Sequence, residues 1–159
     1  MVGDTGASAH PGQWAELDPL DMAARTLAAE VRHGTDASPA QLKAQMVGVM
    51  QVARARAADW YGGDFGYAIT EENAFVLTSN VDPNGQAARQ RWSDPVNGTS
   101  STDYSDRYRY ELGLKVAIGV SNGWLEDAGT VGYHFFTNND AHTHLYFYNS
   151  DSPDSGVWR

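Results

Sequence analysis

The stretch Asp18-Pro-Leu-Asp-Met-Ala-Ala-Arg-Thr-Leu-Ala-Ala-Glu30-Val-Arg-His-Gly34 decides how this chain is read. Asp18 is a good N-cap and Pro19 suits the first helical position, so a helix starts there. Gly34 supplies the stop signal at C′. At about 3.6 residues per turn, Glu30 shares a face with Ala23, Thr26 and Leu27. That face is mostly apolar and turns toward a core. A carboxylate on it is paired, protonated, or set at the edge of a cleft for acid chemistry. The plainer alternative is a helix-end glutamate leaning into solvent. Arg25 and Arg32 share another face, where pairing of Arg25 with Asp21 is the default for neighbours at this spacing.

Outward from this helix the same signals recur. Ser38-Pro39 starts a second helix with Leu42, Met46, Val49, Met50 and Ala53 as a buried stripe, ending near Trp60-Tyr-Gly-Gly63. The methionines read as core filler. Phe65–Ile69 and Phe75–Thr78 read as short strands or extended segments. Residues 79–101 carry the turn signals Asp82-Pro83-Asn-Gly85, Asp94-Pro95 and Asn97-Gly98, and read as a long surface loop of the kind that forms lids or binding walls. A third helix is expected from Ser105 to Ser121-Asn-Gly123, with Tyr108, Leu112, Val116 and Gly119 facing inward. The tail from Thr130 to Tyr148, rich in aromatic and β-branched residues, predicts one or two strands with a turn at Asn138-Asn-Asp140. Residues 1–17 are polar and read as an arm anchored by Trp14. The expectation is therefore an arm, 1–17, and one domain, 18–159, of mainly helical α+β class with a small β element near the C-terminus.

Composition narrows the function. The 159 residues, 42% apolar and 11% aromatic, suit one globular core. Eleven basic against 20 acidic residues leave a net charge of −9, which argues against nucleic acid and anionic membrane surfaces as partners. There is no cysteine, hence no disulfide or thiolate chemistry. No apolar run approaches the roughly 18 residues of a membrane span. The first 17 residues lack the basic start and apolar core of a signal peptide.

Three segments in order resemble the SleB-like cell wall hydrolases, lytic transglycosylases with a lysozyme-like fold. Glu16-Leu17-Asp18 through Ala24-Arg25 to Glu30-Val-Arg32 is similar to the family opening, which runs Leu, Ala-Arg, then Glu-Ala-Arg-Gly; here Gly34 comes one residue late. Gln45-Met-Val-Gly-Val-Met-Gln-Val-Ala-Arg54 resembles the family's second helix, with Ala53 in place of its asparagine. Asp127-Ala-Gly-Thr-Val-Gly-Tyr-His134-Phe-Phe136 is similar to the family segment Asp-Pro-Thr-Gly-Gly-Ala-Thr-His-Tyr-Tyr, without its proline and one glycine. Ala74 stands where the family has a glutamine.

The resemblance implies Glu30 as the catalytic residue. It implies cleavage of the peptidoglycan strand between N-acetylmuramic acid and N-acetylglucosamine, as a lytic transglycosylase or muramidase. One glutamate suffices in such enzymes, acting as acid and then as base on the sugar's 6-hydroxyl, with no cofactor and no metal. The acid role calls for a pKa raised toward about 6, as in lysozyme-type acids. As second carboxylates, Glu71, Glu72, Asp94 and Asp127 are candidates on paper only. The expected substrate-binding set is Thr130, Tyr133, His134, Arg32, Trp92 and Trp124. His142-Thr-His144 would put two imidazoles on one strand face, without an evident third metal ligand. The implied source is a bacteriophage, with the enzyme carried on the virion or released as an endolysin, so that phage virion proteins join peptidoglycan as expected partners. The alternative is a virion structural protein that keeps the lysozyme-like fold with weak or no activity; the altered asparagine and glycine positions point that way. An amidase or peptidase lacks its metal set or cysteine.

Overall fold

The computed structural model describes Trp14 and residues 17–31, 38–93 and 103–159. Among the described residues five α-helices, α1 (Pro19–Glu30), α2 (Pro39–Trp60), α3 (Phe65–Thr70), α4 (Gly85–Arg91) and α5 (Asp103–Ser121), precede three strands, β1 (Phe135–Asn138), β2 (Leu145–Asn149) and β3 (Ser152–Trp158). The strands form one antiparallel sheet in the order β1-β2-β3. The class is α+β, mainly helical, with its small sheet near the C-terminus.

Both helix starts follow the local chemistry. The Asp18 carboxylate accepts from the Leu20 N–H at 2.9 Å, and the Ser38 hydroxyl from the Gln41 N–H at 3.1 Å. The stop signal at Gly34 lies outside the described residues. Along α1, Met22, Ala23, Ala24, Leu27 and Ala28 are fully buried. Gly113 lets α5 cross α1 closely: a Cβ there would sit 2.7 Å from the Ala24 carbonyl oxygen. The expected stripe of α2 is inside, but so is every residue from Gln45 to Ala53. This helix is wrapped on all sides, which a one-sided stripe understates. The sheet lies on it through Phe147, whose ring occupies the space that a Cβ on Gly48 would take, 2.4 Å away.

Four expectations are corrected. Phe65–Ile69 lies within α3, capped by the Asp64 carboxylate on the Tyr67 N–H at 2.9 Å, and Val76–Thr78 is a 3₁₀ turn. Short apolar runs have no periodicity that separates strand from helix. The expected loop over residues 79–101 holds α4 and the buried Trp92 in its described part. On α5, Val116 and Gly119 are buried and Leu112 packs on the core as expected, but Tyr108 is 38% exposed and the inner face also holds Asp106, Arg109, Gly113, Ala117 and Val120. In its first half Asp106 pairs with Arg91 at 2.5 Å and Arg109 donates to the Ala28 carbonyl at 2.6 Å; buried charges there defeat a hydropathy count. Strand β3 was not foreseen, because Ser-Pro-Asp-Ser-Gly shows no alternation, a pattern that an exposed edge strand tolerates.

Trp14 belongs to the core: it is 2% exposed and its indole N–H donates to the Leu77 carbonyl at 2.9 Å. Arg25 pairs with Asp21 at 2.9 Å, as its spacing predicts, and also donates to the carbonyls of Trp92 and Ser93. No described helix is long and apolar enough to cross a membrane.

Candidate active site

Glu30 is the last residue of α1, on the same face as the buried Ala23, Thr26 and Leu27 but only half-buried itself. It lines an open, polar concavity of about 270 Å³ with Arg56, Asn73, Asp82, Phe136 and Asn138 among its walls. Its carboxylate accepts from the Val76 N–H at 3.1 Å. The helix end thus delivers the carboxylate to a wall built by the segment between α3 and α4.

That wall is braced by its own polar groups. Asn73 adopts φ 66°, a left-handed conformation that asparagine tolerates, and its side-chain oxygen accepts from the Asn80 N–H at 2.9 Å. Thr78 closes the 3₁₀ turn by exchanging bonds with Phe75 at 3.2 Å in each direction. The Ser79 hydroxyl accepts from the N–H groups of Val81 and Asp82, and the Ser79 carbonyl accepts from Arg89 at 2.6 Å. The turn residues of this segment therefore fix a wall instead of leaving a loose lid.

Arg56, a buried cation on α2, ties the wall to the sheet. It donates to the His134 carbonyl at 2.7 Å and to the Ala74 carbonyl at 3.1 Å. Its guanidinium lies 5.1 Å from the Phe75 ring centre and 5.6 Å from those of Trp60 and Phe135. Burial pushes its pKa down from the usual arginine range, while Tyr61, Glu30 and Glu71 nearby push it back up. An arginine keeps its proton throughout, so the concavity has a fixed positive charge. Asn138 lines the same concavity, and its side-chain oxygen is buried without a hydrogen-bond partner among the described residues.

The expected substrate-binding residues are not gathered here, and Arg32 lies outside the described residues. Thr130 is fully buried, where its hydroxyl accepts from Gln51 at 2.7 Å. Trp92 is 2% exposed beneath Arg91 and Arg109, beside Ala28 and Ala29 in a separate concavity. Trp124 is 74% exposed just beyond α5. Tyr133 packs on the core with its hydroxyl 3.4 Å from the Ser155 carbonyl. The His134 ring stacks on Trp60 at 5.0 Å and faces Asp59 at 2.6 Å, so that only its backbone carbonyl reaches toward the site, through Arg56. The C-terminal segment does return to Glu30 as expected, but the residues that line the concavity are Phe136, Thr137 and Asn138, two to four positions later than His134.

The paper candidates for a second carboxylate are engaged elsewhere. Glu71 accepts from the Tyr61 hydroxyl, Glu72 from the Asn80 amide, and Asp127 pairs with Arg159 at 2.7 Å. Asp94 lies outside the described residues. Asp82 does line the concavity, a placement that its Asp-Pro-Asn-Gly context gave no reason to expect. His142 and His144 sit in the β1–β2 connection, not on a strand face, and among the described residues no group of three or more potential ligands could hold a metal. No family model, curated protein or solved structure matches this chain.

Proposed function

We propose that the chain is a peptidoglycan-cleaving lytic transglycosylase with a lysozyme-like fold, of the SleB-like kind, and that Glu30 is its acid and base. The observation that carries this reading is the delivery of one carboxylate, from a buried helix face, into an open polar concavity. In the first step Glu30 gives its proton to the glycosidic oxygen as the bond from that oxygen to the anomeric carbon breaks. The oxocarbenium-like centre is then attacked by the sugar's own 6-hydroxyl oxygen, and the carboxylate takes the hydroxyl proton. An anhydro sugar results and no water is consumed. The Val76 N–H would hold the Glu30 carboxylate in place.

The test is digestion of purified peptidoglycan, read by mass spectrometry. The wild type should release anhydromuropeptides; Glu30→Gln, which keeps volume and an acceptor for Val76, should fold equally well and release none. Equal product from both proteins would remove Glu30 from the chemistry.

One observation favours the second reading, a virion protein with weak or no activity. Of the residues expected to bind the glycan, Thr130, Tyr133, Trp92 and Trp124 do not line the Glu30 concavity. In that reading wall clearing by the wild type would match that of Glu30→Gln. In either reading the net charge of −9 gives no electrostatic attraction to an anionic wall. Attachment to a phage particle or release as an endolysin would bring it there, and proteomics of purified virions beside lysates distinguishes the two routes.

A further inference from the structure

The sheet has two unlike faces. Leu145 and Phe147 of β2 point into the core, where both are fully buried. The opposite face is a run of aromatic rings in contact. Trp158 lies 5.0 Å from Tyr146, Tyr146 5.7 Å from Tyr148, and Tyr148 5.6 Å from Phe135. Phe135 lies 5.7 Å from Trp60 at the end of α2, and Trp60 stacks on His134 at 5.0 Å. Cross-strand pairing produces this order, since Phe135 is opposite Tyr148 and Tyr146 opposite Trp158. The middle rings are partly covered by one another, but Trp60 and Trp158 stand 45% and 53% exposed. Exposed indoles at both ends of a continuous aromatic face are a costly surface for a protein to leave in water without a ligand.

We propose that this face is a glycan-binding platform that continues the Glu30 site, holding sugar rings of the same strand outside the cleavage position. Arg56 supplies the continuity: it lies against Trp60 and Phe135 on one side and lines the Glu30 concavity on the other. Charge selects the ligand class. The carboxylate at the His134 end is Asp59, and β3 carries Asp154, while Arg56 is buried beneath the rings. A polymer charged at every backbone unit would meet acidic groups and no exposed guanidinium of Arg56, whereas the uncharged N-acetylated rings of a glycan strand, whose charges sit on its peptide stems, present apolar ring faces that stack on indole and phenol and polar edges that remain hydrated. The platform rests on the proposed glycan substrate but not on the identity of the catalytic residue.

The experiment uses the full chain and chitohexaose, a neutral oligomer of N-acetylglucosamine, titrated by calorimetry in a Glu30→Gln background that prevents turnover. Trp158→Ala should weaken binding by about tenfold or more, and Trp158→Phe should restore most of it. Unchanged thermal midpoints verify that the half-exposed indole was not holding the fold. Equal affinity for Trp158→Ala and its parent overturns the platform, as does absence of any chitohexaose binding. Concentration-dependent self-association that Trp158→Ala abolishes, without sugar binding, overturns it in favour of a contact between two copies. Failure of Glu30 as the acid reads out separately: wall digestion would then be insensitive to Glu30→Gln while the Trp158 effect on binding persists.

Discussion

The middle of α2 and the wall between α3 and α4 meet the same site but are held by opposite means. From Gln45 to Ala53 the helix is buried throughout and packed mainly by apolar side chains on α1, α5 and the sheet, with Gln45 and Gln51 adding hydrogen bonds to backbone carbonyls. The wall from Asn73 to Arg89 is fixed by Asn73, Thr78, Ser79 and Arg89 bonding to backbone. Apolar burial is strong and non-directional, whereas hydrogen bonds contribute little net stability and define geometry. Damage to the first region should therefore show in folding, and damage to the second should show more in the chemistry proposed for Glu30.

The largest effect expected is in the packed region. Phe147→Ala removes a fully buried ring between the sheet and Gly48 and should cost about 3–5 kcal/mol in denaturant unfolding. A loss under 1 kcal/mol would mean that the sheet is not tied to α2 through this ring. Next comes Arg56→Met, which keeps the stem and leaves the carbonyls of His134 and Ala74 without this donor. It should cost about 2 kcal/mol and also alter the pH profile of the proposed wall cleavage, because a fixed charge beside Glu30 is gone. A stability loss with an unchanged profile would make Arg56 a brace only.

Gly48→Ala sharpens the comparison from the other side. The added methyl collides with Phe147, at a cost of about 1–3 kcal/mol, and alanine's better helix propensity returns up to about 1 kcal/mol. Net destabilisation with unchanged specific activity is expected; a stabilised variant would show that the ring can retreat freely.

The smallest effect lies at the partly exposed Asp127–Arg159 pair, whose backbone carbonyls accept from Gln51 and Gln45 of α2. Arg159 holds the Asp127 carboxyl below its usual range, against a smaller opposing effect of burial. The folded pKa is thus depressed, so this contribution is present above the unfolded value of about 4 and is lost as pH falls through the folded one. Asp127→Asn should lower stability by about 1 kcal/mol or less at neutral pH and reduce the loss of stability on acidification. Parallel stability curves from neutral to strongly acidic pH would show that the pair contributes nothing.

The starts of α1 and α2 were legible because a cap acts through its own neighbours: Asp18-Pro19 and Ser38-Pro39 need no tertiary context. The buried face of α1 and the stripe of α2 follow from periodicity in the same way; the stop was read at Gly34, but α1 ends at Glu30 with Val31 as its C-cap. Residues 65–78 and α5 were read less well, for two reasons. A six-residue apolar run has too few turns to show a period, and in α5 the inner positions Asp106 and Arg109 are charged, which pattern reading assigns to solvent.

For the candidate site the division is sharper. The sequence by itself determined that a carboxylate would emerge from an apolar helix face, because the angle between successive residues on a helix is fixed by backbone geometry. Only the tertiary structure decided what faces it. Arg56, Asp82 and Asn138 come from α2, a turn and a strand, and nothing within a few residues of any of them encodes that meeting. Local bonding sets the elements one at a time; the register of α2 against the sheet, set by Phe147 over Gly48, and the bracing of the wall set which side chains share the concavity.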